Sequence, residues 1–434
     1  MSAGVADRET DCVVVGGGVA GLAAALYLSR GGARVTVVES NRVGSGASSG
    51  NAGWLCPAQA GPLPQPGLTA YGLRALVDRG SALYFAPRHL PRLLPWLLRF
   101  RASCTADAYT RGGQALGRLG TQVFELVYEL IGDGLAVPVH RRGLLAVGER
   151  RDSADRFLQD LRPLRLAGVP TPDRVLDRNE IHALEPGLSK HPTAAVHVQD
   201  HWHVEPDRFA VALAALVREA NVEILEGAEV RDFDVVNGQV RRVRTAAGVV
   251  AAENVVLAAG AWTPPLARML GLRLPVAAGK GYSFVVEPEV VPEHALLLLE
   301  PHVGCSPLGD GRVRIAGTME FSGINSRLDR RRLNTIAEGA QRLLSPWRGC
   351  DLSNAWVGMR PIAPDGLPVI DRLSGSSNVF LATAYSMLGM TLALPAGRAL
   401  AELVLRDHRP PELEPFALSR FGRARWAGAP PVAR

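Results

Sequence analysis

The chain has 434 residues, of which 47% are hydrophobic and 21% are charged, a length and balance that suit two globular domains, each with its own core. No stretch approaches the roughly 20 apolar residues of a membrane-spanning helix, and residues 1–10 contain no apolar signal core, so we expect a cytoplasmic protein. The net charge of +6 comes without a basic helix interleaved with aromatic residues, which argues against nucleic acid, and the scattered cysteines argue against a zinc site or a disulfide framework.

The first predicted elements are a strand, a glycine-rich turn and a helix. Residues 12–15 form a β-branched run, residues 16–21 read GGGVAG, and an apolar helical stretch follows. Gly16 allows the tight turn, Gly18 lets the backbone approach a pyrophosphate, and Gly21 lets the helix lie close to the strand. The amino end of the helix offers free N–H groups to phosphates. The predicted cofactor contacts in this segment are Gly16, Gly18, Val19, Ala20 and Gly21.

A second predicted strand, residues 34–38, ends at an acidic residue. The carboxylate of Glu39 can accept hydrogen bonds from a ribose with free hydroxyls, which favours an adenosine without a 2′-phosphate. A glycine motif alone would be weak support, because such turns also occur without a nucleotide. Here strand, turn, helix, second strand and acid follow in order within about 30 residues. The pattern therefore predicts a dinucleotide site that includes Glu39 and Ser40, and it leaves FAD and NAD open.

The segment after the acid, residues 44–53, consists almost entirely of small residues. Such a loop can pass close to an extended ligand and offer it many backbone N–H groups. This favours FAD, which continues beyond its pyrophosphate to a ring system, and the alternative is a flexible linker. The predicted contacts in this loop are Ser48, Ser49, Gly50, Asn51, Ala52 and Gly53.

Two basic segments raise the question of a surface contact. Residues 83–100 combine Leu, Trp and Phe with Arg and three prolines, and they could lie on a membrane surface. The prolines disfavour a long amphipathic helix, so we expect packing against the nucleotide-binding domain instead. The last 20 residues contain Arg420, Arg423, Arg425 and Arg434 without an acid. A solvated end is the simpler interpretation, and a weak contact with anionic lipid or a partner protein is the alternative.

Further along the chain, residues 209–225 predict another helix followed by a strand, and residues 255–257 predict a buried strand. This last strand ends at Ala258, Ala259 and Gly260. Because α/β sheets place ligands beyond the carboxyl ends of their strands, we assign Gly260 to the cofactor cleft. A purely structural role in the core is the alternative.

Several of these segments together resemble a known family. The loop at residues 49–53, Pro57, and the stretches 255–262, 280–283, 358–368 and 389–403 are similar to the D-amino-acid dehydrogenase branch of the D-amino-acid oxidase-like flavoproteins, which includes glycine oxidase, sarcosine oxidase and D-hydroxyproline dehydrogenases. The resemblance runs nearly the full chain. It implies FAD, oxidation of an amino acid to an imine, and transfer of electrons to oxygen or to a membrane quinone.

The resemblance also implies roles for individual residues. Arg360, in a Gly-x-Arg-Pro motif, would bind the substrate carboxylate, and the planar fork of an arginine suits that role. Val230 would meet the adenine through its backbone. Tyr282 would face the cleft or bond the carboxylate, with simple packing as the alternative. Because no cysteine lies near Gly358, FAD should be bound non-covalently. The remaining predicted contacts are Trp262, Leu388, Gly389, Met390 and Thr391 for the cofactor and Tyr385 and Met387 for the substrate.

The chain departs from its relatives above the pocket. Relatives often read Gly-His at the end of the last strand, whereas this chain has Ala384, Tyr385 and Ser386, and Met387 stands where glycine oxidase has a second arginine. The substrate therefore cannot be carried over from the family. The nature of the electron acceptor, whether oxygen, a quinone or a soluble carrier, also stays open.

The predicted fold class is α/β, with a Rossmann-like FAD-binding domain built from discontinuous segments and a mixed-sheet α+β substrate domain. We expect the FAD-binding domain to comprise residues 1–85, 204–267 and 349–434, and the substrate domain residues 86–203 and 268–348.

Three hypotheses on function follow. The first is an FAD enzyme that oxidises a D-amino acid or a cyclic secondary amino acid, such as a D-proline derivative. The second is an FAD oxidase of another amine or a hydroxy acid in a biosynthetic pathway, and the third is a non-catalytic nucleotide-binding subunit.

Overall fold

The structure of the chain is a computed structural model that describes residues 8–68, 72, 81–347, 352, 355–373, 376 and 378–422. Of the basic tail, Arg423, Arg425 and Arg434 lie outside the described residues, as does Cys350. Arg420 lies within them, where its guanidinium pairs with the carboxylate of Asp365 at 2.6 Å. This arginine is therefore anchored to the protein rather than part of a solvated end.

The strands alternate along the chain between two large sheets and a small one. In chain order they are β1 (Arg8–Val15), β2 (Val35–Val38), β3 (Trp54–Leu55), β4 (Leu83–Phe85), β5 (Val139–His140), β6 (Leu144–Gly148), β7 (Leu176–Asp177), β8 (Ala194–Val198), β9 (Trp202–Val204), β10 (Glu223–Leu225), β11 (Val230–Val236), β12 (Gln239–Thr245), β13 (Gly248–Leu257), β14 (Ala277–Val286), β15 (Ala295–Leu298), β16 (Val303–Pro307), β17 (Val313–Phe321), β18 (Trp356–Ile362), β19 (Val369–Arg372) and β20 (Val379–Thr383).

The helices pack on the faces of the two large sheets. In chain order they are α1 (Val19–Arg30), α2 (Leu90–Ser103), α3 (Ala106–Gly120), α4 (Val123–Gly132), α5 (Arg151–Asp160), α6 (Arg162–Leu166), α7 (Arg178–Leu184), α8 (Pro206–Glu219), α9 (Thr263–Met269), α10 (Arg330–Gln341) and α11 (Gly389–Arg406). Among the described helices, none combines the length and the apolar character needed to cross a membrane.

The first large sheet has a parallel centre, in which β10, β2, β1, β13 and β20 are neighbours in that order. Its central strands are almost entirely apolar because both faces are covered. Helices α1, α8 and α11 cover one face, and the antiparallel pair β11 and β12 extends the sheet beyond β13. The carboxyl ends of β1, β2 and β13 therefore meet at one edge, which is where such sheets bind ligands.

The second large sheet is mixed, with strand order β18, β14, β17, β16, β15, β6, β8, β7 and with β4 added beside β17. The β15–β6 and β17–β4 pairs are parallel, and the other pairs are antiparallel. Helix α10 packs on one face through Leu333 and Ile336. Together the two sheets form the α/β architecture that the sequence predicts.

The sheet pairings differ from the expected domain boundaries at two places. Strands β4 and β18 lie within the segments 1–85 and 349–434 that were assigned to the nucleotide-binding domain, but both pair in the second sheet. In addition, α3 and α4 lie within residues 86–203 and pack against α11 in the first core. These pairings are contacts between distant parts of the chain, which local sequence patterns do not report. The remaining boundaries stay a prediction.

Residues 83–100 form β4 and most of α2, a 14-residue helix that the prolines were expected to disfavour. Pro91 stands in the first turn, where a missing N–H costs nothing, and the helix continues past Pro95. Trp96 is buried and donates a hydrogen bond from Nε1 to the carbonyl of Ile362 at 3.0 Å. The segment therefore packs against β18, while Leu94 and Leu98 remain 53% and 58% exposed.

The small third sheet, with strand order β3, β9, β5, carries a group of buried histidines. The rings of His140 and His203 stack with centroids 4.6 Å apart, and His203 Nε2 donates to the carbonyl of Pro307 at 3.0 Å. Burial and the neighbouring His140 lower the pKa of His203 to about 4, and burial also lowers the pKa of His201 well below its usual value. Within the described residues, no cluster of three or more His, Cys, Asp or Glu side chains could hold a metal ion.

These histidines predict that the folded state loses stability in mild acid. Between about pH 6.5 and about pH 4, His203 binds a proton in the unfolded chain but stays neutral in the folded one, which costs on the order of 3 kcal/mol at most. We expect the Tm of the FAD-loaded chain to fall from about pH 7.5 to about pH 5.5, and to fall less in His203→Gln. His191→Gln, at an exposed position, is the control, and an equal fall in His203→Gln and in the unsubstituted chain would contradict the prediction.

Candidate functional site

A deep cleft of about 1830 Å³ lies between the two large sheets. One wall is formed by the carboxyl ends of β1, β2 and β13, by residues 44–53 and by the start of α11, and the opposite wall is formed by β14, β17 and β18. The cleft thus joins the edge where the first sheet can bind a nucleotide to the inner face of the second sheet.

The glycine turn closes the first wall. Gly16 has φ +114°, and a Cβ there would lie 2.6 Å from the carbonyl oxygen of Ala258, so only glycine fits. A side chain at Gly21 would overlap the carbonyl of Gly16, so Gly21 serves the contact of α1 with β1 and does not itself line the cleft. Gly18, Val19 and Ala20 line the cleft at the amino end of α1. This arrangement presents the N–H groups of the first helical turn to an anionic ligand.

The end of β2 supplies a carboxylate beside this turn. Glu39 Oε2 accepts the N–H of Gly17 at 2.7 Å, and Oε1 accepts the N–H of Asn41 at 2.9 Å and the hydroxyl of Ser40 at 3.1 Å. Glu39, Ser40 and Val230 all line the cleft. Glu39 is thus fixed in place by backbone donors and keeps lone pairs for a ribose hydroxyl, which suits the adenosine end of a dinucleotide.

The small-residue loop is held by its own hydrogen bonds. Ser48 Oγ accepts the N–H of Val19 at 3.1 Å, and Asn51 Oδ1 accepts the N–H of Gly53 at 2.7 Å. Ser48, Gly50, Asn51, Ala52 and Gly53 line the cleft. Ser49 does not line the cleft, and its hydroxyl donates to the carbonyl of Gly46 at 3.2 Å, so its contact with the cofactor stays a prediction.

A second helix also points its amino end into the cleft. Leu388, Gly389, Met390 and Thr391 line the cleft where α11 begins. Thr391 Oγ1 donates to the carbonyl of Trp54 at 3.2 Å and accepts the N–H of Cys56 at 3.0 Å, so its hydroxyl anchors the helix rather than facing a ligand. On the same wall, beyond the end of β13, Gly260 and Trp262 line the cleft; a Cβ at Gly260 would meet only open space, and Trp262 is 44% exposed.

Arg360 stands on β18 in the opposite wall. Its Nη1 donates to the carbonyl of Thr318 at 2.7 Å, and the guanidinium lies so close over Gly281 that a side chain there would overlap it. No carboxylate of the described residues forms an ion pair with Arg360. Burial lowers the pKa of Arg360 to about 10, so the group is still protonated at neutral pH. A partly buried, unpaired positive charge in a cleft is suited to an anionic ligand.

The segment after β20 forms the roof near Arg360. Tyr385 is 5% exposed and Met387 is 56% exposed, and both line the cleft. Ala384 and Ser386 have φ of +62° and +52°, an uncommon conformation for residues other than glycine. The N–H of Ser386 donates to the carbonyl of Pro361 at 2.9 Å, which ties the roof to the strand of Arg360.

Tyr282 lies on β14, in the same wall as Arg360. Residues directly opposite in neighbouring strands share a face, so Gly279 and Gly281 lie on the same face as Arg360, whereas the side chain of Tyr282 points to the other face. Its hydroxyl donates to Glu320 Oε2 at 2.6 Å and its ring belongs to the core under α10. The phenol is thus bound to Glu320 and the ring is packed, which was the alternative expectation, and Tyr282 still lies among the residues that line the cleft.

Two cleft residues were missed in the sequence. The indole of Trp356 lies between Gly50 and Gly358, where either glycine with a side chain would overlap it, and Trp54 lines the cleft while donating to Ser306 Oγ at 2.8 Å. Trp356 comes two residues before Gly358 on the same strand, and that spacing could have indicated a shared face.

Comparison with known proteins identifies the family. A family model described as "FAD dependent oxidoreductase" matches residues 11–403. The chain belongs to this family. It is 34% identical over 421 residues to the D-amino acid dehydrogenase of Methylobacterium radiotolerans, with 94% of this chain and 99% of that protein covered. It is 32% identical over 413 residues to the D-amino acid dehydrogenase of Cereibacter sphaeroides, with 93% of each covered.

Solved structures agree with this assignment. Glycine oxidase from Geobacillus kaustophilus superposes with a TM-score of 0.72 at 25% identity, covering 95% of this chain and 99% of that one. L-proline dehydrogenase from P. horikoshii gives a TM-score of 0.72 at 19% identity, covering 97% and 100%, and shows the shared fold. The predicted family resemblance and fold class are confirmed.

The cofactor is therefore FAD. The glycine turn, Glu39, most of the small-residue loop and the amino end of α11 line one wall of the cleft, which we call the cofactor cradle, and that they hold the FAD stays a prediction. Binding is non-covalent. Among the described cysteines, only Cys56 lines the cleft, and burial raises the pKa of its thiol to about 12.

Glu39 provides a test of the adenosine end. In Glu39→Gln the amide keeps one acceptor but loses the charge that strengthens hydrogen bonds to Gly17 and the ribose, so we expect the Kd for FAD to rise about 10-fold. Titration of the FAD-free chain, followed by flavin fluorescence, measures this. Glu253→Gln, an exposed acid of the same sheet, should leave the Kd unchanged. An unchanged Kd in Glu39→Gln would remove Glu39 from the cofactor site.

Proposed function

We propose that this FAD-dependent oxidoreductase oxidises an amino acid, specifically a D-amino acid or a cyclic secondary amino acid such as a D-proline derivative. FAD, when bound, would supply the acceptor for the hydride of the α-carbon. Loss of that hydride from a neutral amine gives an iminium ion, which becomes an imine when its nitrogen releases a proton to water, and hydrolysis of the imine yields a 2-oxo acid with release of ammonia or ring opening. The relatives named D-amino acid dehydrogenase support the substrate class and its stereochemistry. The observation that carries the proposal is the unpaired Arg360 across the cleft from the cofactor cradle.

Arg360 is suited to hold the α-carboxylate. Nη1 is occupied by the carbonyl of Thr318, so the guanidinium cannot turn freely, and its remaining donors are available to a ligand. Because the group is partly buried, a carboxylate is attracted more strongly than it would be in water. A carboxylate held in this fixed position leaves one face of the α-carbon towards the cofactor, which is the positioning that hydride transfer requires.

The wall around Arg360 is mostly apolar. Trp96, Met319 and Phe321 form a cluster with Ile362, the residue two positions after Arg360 on the same face of β18. These side chains exclude water from the space above Arg360 and leave little that could recognise a charged substrate side chain. With the carboxylate bound, an amine that arrives neutral needs no side-chain base, so the residues of this wall act by binding and orientation.

Arg360→Ala tests the proposal directly. We expect kcat/KM for the amino acid to fall about 100-fold, because the carboxylate loses its charged partner, while FAD stays bound. Anaerobic bleaching of the flavin with D-amino acids, L-amino acids, prolines and hydroxy acids measures this and separates amino acid from hydroxy acid oxidation.

Arg332 provides the matched control. It is another buried arginine, on helix α10 beside the second sheet, and it does not line the cleft. Its Nη1 also donates to a backbone carbonyl, that of Ser81, at 2.7 Å. Arg332→Ala should keep its turnover. Unchanged bleaching in Arg360→Ala would overturn the role of Arg360, and a chain that binds FAD but reacts with none of the panel would favour the non-catalytic hypothesis.

For the electron acceptor we propose a membrane quinone, reached through a peripheral contact with the inner face of an anionic membrane. A surface groove beside α2 is lined by Arg92, Arg99, Arg268 and Arg273. None of these four arginines pairs with an acid that the structure describes. Leu94 and Leu98 are exposed on α2, between and beside these charges. Exposed leucines next to unpaired arginines match the apolar interior and anionic surface of such a bilayer.

Substitutions on α2 test this contact. Leu94→Glu and Arg99→Glu should each reduce binding to phosphatidylglycerol vesicles about 10-fold, measured by co-sedimentation, without changing turnover with a soluble dye. Leu166→Glu changes a leucine that is 63% exposed elsewhere and should bind as before. Absence of vesicle binding by the unsubstituted chain would contradict the membrane contact and leave oxygen or a soluble carrier as the acceptor.

A further inference from the structure

Three polar side chains are buried behind the wall that carries Arg360. Lys280 is 2% exposed, Tyr282 1% and Glu320 5%. Lys280 Nζ lies 2.8 Å from Glu320 Oε1, and the hydroxyl of Tyr282 donates to Glu320 Oε2 at 2.6 Å. All three side chains point to the face of the second sheet that is turned away from the cleft. Lys280 and Glu320 do not line the cleft, whereas Tyr282 borders it.

This network is fully satisfied. Besides Glu320, Lys280 Nζ donates to Asn325 Oδ1 at 3.1 Å and to the carbonyl of Arg327 at 2.9 Å. Burial raises the pKa of Glu320, but hydrogen bonds from Lys280, Ser322 and Tyr282 outweigh it, so the carboxyl pKa lies below its usual value and the group is charged. A buried ion pair gives little net stability compared with apolar side chains of the same size. The presence of this buried ion pair therefore needs an explanation other than stability.

The network spans an irregularity in the pairing of β14 with β17. Lys280 lies opposite Glu320, but Tyr282 lies opposite Gly317, so Thr318 and Met319 together face the single residue Gly281. This is a β-bulge. Thr318 has φ +68°, a left-handed conformation that is unfavourable for a β-branched residue and persists only where its surroundings hold it. Lys280, Tyr282 and Glu320 bracket the bulge on both strands.

The bulge has a direct consequence on the cleft face. It turns the carbonyl of Thr318 towards Arg360, which donates to it at 2.7 Å. Gly281, the residue opposite the bulge, provides the space in which the guanidinium lies. The buried network and the carboxylate-binding arginine are thus connected through one strained residue.

We propose that Lys280, Glu320 and Tyr282 are positioning residues for substrate binding, which lock the bulge at Thr318 and thereby fix the guanidinium of Arg360 for the substrate carboxylate. The inference rests on the proposed role of Arg360. Without the lock, Thr318 relaxes to an ordinary strand conformation and its carbonyl turns away. Arg360 then loses its acceptor and must be ordered by the substrate itself, which weakens substrate binding more than the chemical step.

Tyr282→Phe is the primary test, because it removes one hydrogen bond and no charge. We expect KM for the amino acid to rise roughly 3- to 10-fold, with kcat within about 2-fold of the unsubstituted chain and an unchanged Kd for FAD. The inhibition constant of propionate, a carboxylate without an α-amine, should rise by the same factor as KM. Tyr27→Phe is the matched control, since it also removes a buried hydroxyl, but in the core of the first sheet, and it should change neither constant.

A second substitution separates positioning from general loss of stability. Glycine adopts a left-handed conformation without strain, so Thr318→Gly should keep the bulge even when the network is weakened. We therefore expect the raised KM of Tyr282→Phe to fall most of the way back to the value of the unsubstituted chain in Tyr282→Phe/Thr318→Gly. A KM that falls in the double variant while Tm stays as low as in Tyr282→Phe supports the bulge mechanism. A KM that stays as high as in Tyr282→Phe overturns it.

The outcome also distinguishes this inference from the proposed function. If Arg360→Ala raises KM and Tyr282→Phe does not, the positioning role is wrong while the role of Arg360 stands. If Arg360→Ala leaves KM unchanged, the proposed role of Arg360 fails and the inference fails with it. If Tyr282→Phe lowers FAD affinity together with KM, the network is a structural support of the whole fold, which also overturns the inference.

Discussion

The contact between α1 and β1 at Gly16 and Gly21 is the constraint on which the cofactor half of the molecule depends. A side chain at either position would overlap the backbone of the facing segment, at Ala258 or at Gly16. Only this close approach places the amino end of α1 next to the carboxyl ends of β1 and β13. The positive end of the helix dipole and the unpaired N–H groups then face one point, and Glu39 and Ser48 are bound to the same turn.

The second large sheet covers the cleft and does not form a second nucleotide-binding fold. It presents glycines and one arginine towards the cleft, and apolar and paired polar side chains towards α10. Because the two faces of the sheet differ in this way, Arg360 can lie without an ion-pair partner on the cleft side while Lys280 and Glu320 form a buried ion pair on the other side. The two-residue period of a strand thus places the unpaired Arg360 and the paired Lys280 and Glu320 on opposite faces of the same sheet.

The parts of this structure that could be predicted from sequence are those set by local chemistry. The glycine turn, Glu39 and the small-residue loop are each determined within a few residues, and the structure places nearly all of them in the cleft. The directions of the Ser49 and Tyr282 side chains could not be predicted, because they depend on loop hydrogen bonds and on a bulge that no local pattern reports. The pairing of β18 with β14 in the second sheet could not be predicted for the same reason, since the two strands are far apart in the chain.

The short segment between β18 and β19 connects the second large sheet directly to the first. Only residues 363–368 separate the strand of Arg360 from the first sheet, and this short link is fastened at Asp365 by Arg420 and closed by Gly366 at φ +74° against Leu63. The position of Arg360 relative to the first sheet is thus set by this short covalent connection as well as by packing. A circular permutant with new termini in this link would keep both sheets but would break the covalent connection between Arg360 and the first sheet, whereas termini opened in the exposed turn at Asn237 and Gly238 would leave that connection intact.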